Sequence, residues 1–346
     1  MRPVLSILII THNQRDLLKR CFLSVIAQDL NVPFEIIISD DRSTDGTDLL
    51  VAGFKSSYEG VKRNLIQIKY VHCNSDECNP YTVSDRCGWN KLNAWRHVSG
   101  KYMVNVDADD YLRSEEIYQL QIDLLEKHPE CSMCMQRTMS LKDGDGYENG
   151  VVWPIHPDLK SGKVLSSSFI ISEGIRGLNQ SFMIRFREQD DMETLYGKSY
   201  DDTVITYHHL QYGPVVFLDR SDYVWIQYPK SISHNLTPDD DVILHGLLPL
   251  YHARLFPSFK HLFLRQGLPD LIHMFKFASS YPVLSNQYRE DWSHQKGFIY
   301  RYYTEPKHSL PSIIRYWLCR GLLLVMKRLG LVSIKWLDLA ETLLVA

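Results

Sequence analysis

Three carboxylates, Asp107, Asp109 and Asp110, stand within four residues at the end of the short apolar run Tyr102-Met-Val-Asn-Val-Asp107. Like charges packed so closely repel, and each resists removal from water. A cation relieves both costs, and oxygen ligands of this kind suit a hard divalent ion, Mg²⁺ or Mn²⁺. An ion held by one or two protein carboxylates keeps its other positions for water and substrate phosphates. The pattern points to a metal-diphosphate site at the carboxyl end of a strand.

The elements around this cluster must hold it at a ligand-facing edge. Val4-Leu-Ser-Ile-Leu-Ile-Ile10 is a continuous apolar run, as in a strand buried on both faces of a parallel sheet. Thr11-His-Asn13 ends it, and Arg15 to Ala27 carries apolar residues at helical spacing. Phe34 to Ser39 reads as a second buried strand, followed by the turn-rich Asp40-Asp41-Arg-Ser-Thr-Asp-Gly46, a helix through Leu49 and Leu50, and a third strand from Leu65 to Val71. His72 to Val83 is a loop, and Arg86 to Val98 a helix ending at Ser99-Gly100, with Gly100 as its C′ residue. Arg113 to His128 is a further helix with Ser114 as N-cap. Alternating strands and helices with right-handed crossovers make an α/β, Rossmann-like, mostly parallel sheet with flanking helices. Ligands of such sheets bind beyond the carboxyl ends of the strands. That rule gathers Thr11 and Asn13, Asp40 and Asp41, and Asp107 and Asp109 on one rim.

From Cys131 onward the strands shorten and the loops lengthen. Asn179 to Arg185, Val215 to Leu218 and Val224 to Tyr228 read as strands, and a helix follows Asp201-Asp202. Beyond about residue 240 the chain is mostly helical, which places a boundary near Pro238 and divides the chain into residues 1–238 and 239–346. The segment from Ser309 mixes Trp317 and leucines with Arg315, Arg320, Lys327 and Arg328. It is too short and charged to span a bilayer, which leaves a helix on a membrane surface, a helix packed on the catalytic part, or a homodimer contact.

Together these segments resemble the family 2 inverting glycosyltransferases of the GT-A fold. The matching stretches are Val4 to Asn13, Ile36 to Asp48, Arg86 to Tyr111 and Ser199 to Leu218. An Asp-x-Asp alone arises by chance, whereas Asp-Asp-x-Ser-Thr-Asp-Gly-Thr after a buried strand, with Gly-Lys-Tyr before the acidic cluster, is far more specific. The resemblance implies that Thr11, Asn13, Asp40, Asp41, Arg86, Asn90, Asp107 and Asp109 face a nucleotide-sugar donor, and that Asp41 accepts from the N–H of a uracil-type base. It implies a metal at Asp107 and Asp109, with His234 as a further ligand, and Asp202 as catalytic base. The usual Glu-Asp is here Asp201-Asp202, so either aspartate fits the base position. The acceptor would be a saccharide or a lipid-linked saccharide. The chemistry agrees: a departing nucleotide leaves growing negative charge for a cation to stabilise, and an acceptor hydroxyl needs a base within hydrogen-bond reach.

The same residues suit other readings less well. Asp40-Asp41 also suits a capping turn, and Asp201-Asp202 also suits the acidic first turn of a helix. A nucleotidyltransferase would carry a glycine-rich phosphate loop after the first strand, and Thr11-His-Asn-Gln-Arg15 has no glycine. A binding module with a decayed site is opposed by the intact Asp41, Asp107, Asp109 and Asp202. Cys131-Ser-Met-Cys134 with Cys73 and Cys78 has the residue types of a zinc site, but Cys131 to Met139 reads as a buried strand whose alternate side chains diverge.

Bulk properties narrow the classes. The 346 residues are 45% hydrophobic and 23% charged, the balance of a globular protein with a sizeable core. A net charge of −3 opposes a dedicated nucleic-acid binder. Seven cysteines with no evident export signal suggest free thiols in a reducing compartment, the cytoplasm or the inner face of its membrane.

Overall fold

A computed structural model describes residues 2–78, 83–173, 175, 179–187, 202–228, 252 and 255–263. The chain divides into two compact units, Met1–Tyr196 with Tyr200–His234, and Gly197–Ser199 with Asn235–Ala346. The strands described below all belong to the first unit. In the second, His252, Phe256 and Phe263 form an aromatic cluster, with the Phe256 and Phe263 centroids 6.2 Å apart. The rest of the predicted helical region, including the basic helix from Ser309, lies outside the described residues.

The first unit opens with β1 (Leu5–Thr11), α1 (Arg15–Ile26), β2 (Phe34–Asp40), α2 (Thr47–Tyr58), β3 (Leu65–His72), α3 (Val83–Trp95) and β4 (Tyr102–Asp107). Every residue of β1 and β2 is buried. That explains their unbroken apolar runs, since a strand covered on both faces has no solvent side on which to place polar residues. Leu5, Ile7 and Ile9 share one core with Leu18, Cys21, Phe22, Val25 and Ile26 of α1. There Phe22 stacks on Phe54 of α2 with centroids 3.8 Å apart. Each such side chain contributes roughly 1.5–3 kcal/mol on burial. α3 packs against β1 and β2.

The remaining elements are β5 (Tyr111–Leu112), α4 (Ile117–Lys127), β6 (Met133–Lys142), β7 (Val151–Trp153), β8 (Val164–Leu165), α5 (Ser167–Ser172), β9 (Phe182–Arg185), α6 (Asp202–Leu210) and β10 (Val215–Gln227). All ten strands among the described residues form one sheet in the order β3-β2-β1-β4-β9-β6-β10-β5, with β7 on β6 and β8 on β10. Pairing is parallel across β3-β2-β1-β4 and between β6 and β10, and antiparallel elsewhere. The chain moves from β1 outward through β2 to β3, then returns across β1 to β4. The strand order therefore reverses at β1, and the crevice of such a sheet opens at that reversal.

Three local expectations change. The segments Val215 to Leu218 and Val224 to Tyr228 belong to one strand whose register slips between Leu218 and Tyr223. The helix expected from Arg113 starts at Ile117, because the chain still follows β10 at Arg113, whose amide donates to the Asp222 carbonyl at 2.8 Å. Gly100 is no helix C′ residue: α3 ends at Trp95, and a Cβ on Gly100 would lie 2.7 Å from the Ser6 backbone nitrogen. A glycine is needed there for close approach, not for a left-handed turn.

Candidate active site

In-register pairing aligns Thr11 with Asp40 and Ile10 with Asp107. The carboxyl ends of β1, β2 and β4 thus finish level, and the loops after them share one rim. The close approach at the opposite end sets this level. Glu35 is fully buried there and accepts from the Ser6 hydroxyl (2.6 Å) and from the Ser99 amide (3.0 Å) and hydroxyl (2.7 Å), with the Lys69 ammonium 2.9 Å away. Burial pushes the Glu35 carboxyl up, but these partners outweigh it and hold it below the usual range.

α3 staples the rim from one face. The Asn90 amide is buried and donates to the Thr11 carbonyl (3.1 Å) and the Ser39 carbonyl (3.2 Å), while its oxygen accepts from the Ser39 hydroxyl (2.5 Å). Asn90 therefore ties β1 to β2. The next residue, Lys91, is 10% exposed at its side chain and brings its ammonium to 3.7 Å from Asp107.

The loops after β1 and β2 lace together. Asn13 adopts φ 51° and accepts from the Thr44 amide at 2.8 Å, while its own amide donates to the Ser43 hydroxyl at 2.7 Å. Asp45 accepts from the Arg15 amide (2.8 Å) and the Thr47 hydroxyl (2.7 Å), serving the first turns of α1 and α2 with one carboxylate. Asp40 is committed within the loop, accepting from the Ser43 and Tyr70 hydroxyls, each at 2.5 Å. Asp41 is also buried and accepts from the Ser75 hydroxyl at 2.6 Å and the Ser75 amide at 3.1 Å. Arg86 lies 3.6 Å from it and Arg42 3.5 Å. Burial raises the Asp41 carboxyl, yet the Ser75 bonds and the two guanidinium groups keep it below the ordinary range. The Thr11 hydroxyl is buried with no hydrogen-bond partner.

The acidic turn after β4 sorts its three carboxylates by environment. Asp110 is buried and accepts from the Tyr223 hydroxyl and, at 3.0 Å, from the Ile226 amide, which fastens the turn to β10. Burial, then the charges of Asp109 and Asp107, push its carboxyl well above the usual range. Asp107 is 30% exposed at its side chain and accepts from the Gln180 and Asn105 amides. Asp109 is partly buried, and burial followed by the Asp107 charge pushes its carboxyl up to about 6. The Asp109 carbonyl accepts from Arg20 of α1 at 2.5 Å. Two carboxylates, Asp107 and Asp109, thus remain on the rim with a repulsion that a divalent cation would relieve. The donor set fits a hard ion completed by water and phosphate oxygens.

Several predicted residues meet on this rim: Thr11, Asp40, Asp41, Arg86, Asn90, Asp107 and Asp109 lie at or beside the level ends of β1, β2 and β4. Asp202 is the first residue of α6, and Asp201 and His234 lie outside the described residues. Lys91, Gln180 and Arg20 were not anticipated. Lys91 had a signal, its place beside Asn90 on the same helix. Arg20 and Gln180 had none, since only the fold carries α1 and the turn before β9 to the acidic cluster. The zinc alternative gains no support: Cys73, Cys131 and Cys134 are buried, and neither Cys73 nor Cys134 joins a ligand grouping among the described residues. Among the described residues the three-ligand grouping is His128, Glu130 and Cys131 at the end of α4, far in the fold from β4's carboxyl end, and Arg185 donates to the carbonyls of Cys131 and His128 there.

Comparison with known proteins bears on the family and on the fold. The model of "Glycosyl transferase family 2" matches residues 6–185. An uncharacterized protein of Mycobacterium tuberculosis is 23% identical over 238 residues, which is 68% of this chain and 62% of that protein. The chain thus spans under two thirds of the length of that curated relative. The poly(ribitol-phosphate) beta-glucosyltransferase of Bacillus spizizenii is 30% identical over 114 residues, 33% of this chain and 16% of that enzyme. Among solved structures, residues 1–349 of S. aureus TarS in complex with UDP superpose with a TM-score of 0.58 at 16% identity, covering 99% of this chain and 90% of that one. That likeness establishes a GT-A-like α/β fold.

Proposed function

As a member of glycosyl transferase family 2, this chain is one for which we propose transfer of a sugar from a nucleotide-diphosphate sugar, with UDP as the nucleotide, to an acceptor hydroxyl with inversion at C1. The observation that carries the proposal is the level alignment of Thr11, Asp40 and Asp107 at the strand-order reversal. It brings the loop that carries Asp41 and the paired carboxylates Asp107 and Asp109 to the same edge of the sheet.

In this proposal Asp107 and Asp109 hold Mg²⁺ or Mn²⁺, which supplies charge neutralisation for the departing diphosphate. His234 is a further candidate ligand. Thr11, Asn13 and Asp41 receive the base and ribose. Asp41 accepts from the base N–H with a lone pair that its two bonds from Ser75 leave open, and Arg86 helps keep it ionised. Asp40 and Asn90 act by holding the shape of the pocket, since their polar atoms are already bonded to Ser43, Tyr70, Ser39 and Thr11. Lys91 adds positive charge beside Asp107. At the opposite side of the sugar, Asp202 takes the proton of the acceptor hydroxyl as the oxygen–C1 bond forms and the C1–nucleotide bond breaks. One in-line displacement inverts the centre without a protein nucleophile.

The poly(ribitol-phosphate) in the Bacillus spizizenii relative's name supports a polymeric acceptor, and we extend this to a surface polysaccharide or glycolipid. We place the reaction on the cytoplasmic side, with the basic C-terminal segment available to a membrane surface or a second subunit. Among the described residues no helix is long and apolar enough to cross a membrane. The test is a donor screen reading released nucleotide with Mn²⁺ and candidate acceptors, repeated with Asp109→Ala and Asp202→Asn. Release that survives both substitutions, or no release from any UDP-, GDP- or dTDP-sugar, would overturn the proposal.

A further inference from the structure

A cluster of tyrosines and arginines adjoins the acidic turn and is not used by the donor chemistry above. Tyr111 directly follows Asp110. The guanidinium of Arg20 that holds the Asp109 carbonyl at 2.5 Å lies 4.7 Å over the Tyr111 ring and donates to the Tyr228 hydroxyl at 2.9 Å. The Tyr111 and Tyr147 hydroxyls are 2.8 Å apart. Arg113 sits 4.1 Å over the Tyr147 ring. Behind them, Tyr111, Val152 and Tyr228 edge a small core of Met139, Leu141, Val224 and Ile226. The surface is thus continuous with the proposed metal rim through Arg20.

Its chemistry is specific. One tyrosine hydroxyl donates to the other, so the pair keeps one hydroxyl hydrogen and spare lone pairs for a ligand. Tyr147 is 43% exposed although it is a large ring. It is held at both ends, by the hydroxyl contact and by the cation on its face, so little freedom remains to lose on binding. Its backbone is equally constrained. Gly144 turns with φ +88°, and a Cβ on Gly150 would lie 2.9 Å from Leu141 and 3.1 Å from the Tyr147 carbonyl. A pre-organised ring face with a hydroxyl edge complements a pyranose, whose C–H face is apolar and whose rim is hydroxylated.

We infer that Tyr147 and Tyr111 form the stacking subsite for a pyranose ring of the acceptor, beside Asp109. This rests on the sugar-transfer proposal and adds where its acceptor lies and what class it is. Tyr147 touches substrate in this scheme, and Arg113 positions it.

The test separates the two proposals. UDP binding with Mg²⁺, followed by calorimetry, reads the donor site. Saturation-transfer NMR with the methyl β-glycosides of glucose, galactose and N-acetylglucosamine, in the presence of UDP and Mg²⁺, reads the subsite. At least one glycoside should bind the unaltered protein. Its affinity should fall about tenfold in Tyr147→Ala, the loss of one aromatic stacking contact and its hydrogen bond. Tyr147→Phe should retain affinity within about threefold, because the ring remains. UDP affinity should be equal in all three, which also shows that they fold. Equal glycoside binding by Tyr147→Ala, a loss in UDP affinity instead, or no glycoside binding by a protein that binds UDP would each overturn the subsite. Failure to bind UDP would instead overturn the donor proposal, and the subsite with it.

Discussion

Asp109→Asn should stabilise the metal-free protein while abolishing its response to metal. The Asp109 carboxyl is pushed from an ordinary 3.8 to about 6, first by burial and then by Asp107. For an acid, a folded-state pKa above the unfolded one means the ionised group costs stability at neutral pH, and the cost vanishes as pH falls below the unfolded value. The shift is roughly two units, at about 1.4 kcal/mol each. Because the side chain is only partly buried, screening trims the effective cost to about 1–2 kcal/mol. Asparagine removes the charge and keeps the shape. Thermal denaturation in EDTA at pH 7.5 should therefore show a rise of roughly 2–8 °C for a unit of this size. At pH 4 the two proteins should differ little. Added Mn²⁺ should raise the unaltered protein's midpoint and leave the variant's unchanged. A variant less stable than the parent in EDTA would refute the repulsion argument, and equal stabilisation of both by Mn²⁺ would remove Asp109 from the metal site.

Gly100→Ala should cost about 2 kcal/mol in urea denaturation, because the new Cβ meets the Ser6 backbone at 2.7 Å and must part β4 from β1. An unchanged midpoint would show that the strands do not depend on this approach. Glu35 is held below its ordinary 4.5, so its contribution is present above that value and fades as pH falls through the lower folded-state value. Glu35→Gln should flatten the fall in urea stability between about pH 5 and pH 3, and parallel curves for the two proteins would contradict the assignment. Tyr223→Phe removes one of two donors to the buried Asp110 and should cost about 1–3 kcal/mol, measured by chemical denaturation. A neutral outcome would mean the acidic turn is not fastened to β10 through that bond.

Much of the fold was legible because strands buried on both faces leave an unmistakable trace. Val4 to Ile10 and Phe34 to Ser39 allow no amphipathic alternative, and they became β1 and β2 nearly residue for residue. The rim was legible for a related reason, since parallel strands bring their carboxyl ends to the same edge and short polar motifs sit directly after them. Less regular stretches were harder. The two-residue β5 and the slip in β10 depend on a distant strand's register, which local patterning does not encode.

The acidic cluster divides along the same line. Residue types alone raised the expectation of a cation beside three crowded carboxylates. Which of them stay on the rim was decided in three dimensions. Asp110 differs from Asp109 only in being turned toward Tyr223 and Ile226, whose place comes from β10, more than a hundred residues along the chain. The same holds for Asp40 and Asp41. They are adjacent and identical, yet Tyr70 and Ser43 engage one while Ser75, Arg86 and Arg42 surround the other. A carboxylate's identity is written in the sequence, but its partners, burial and proton affinity belong to whatever the fold packs against it.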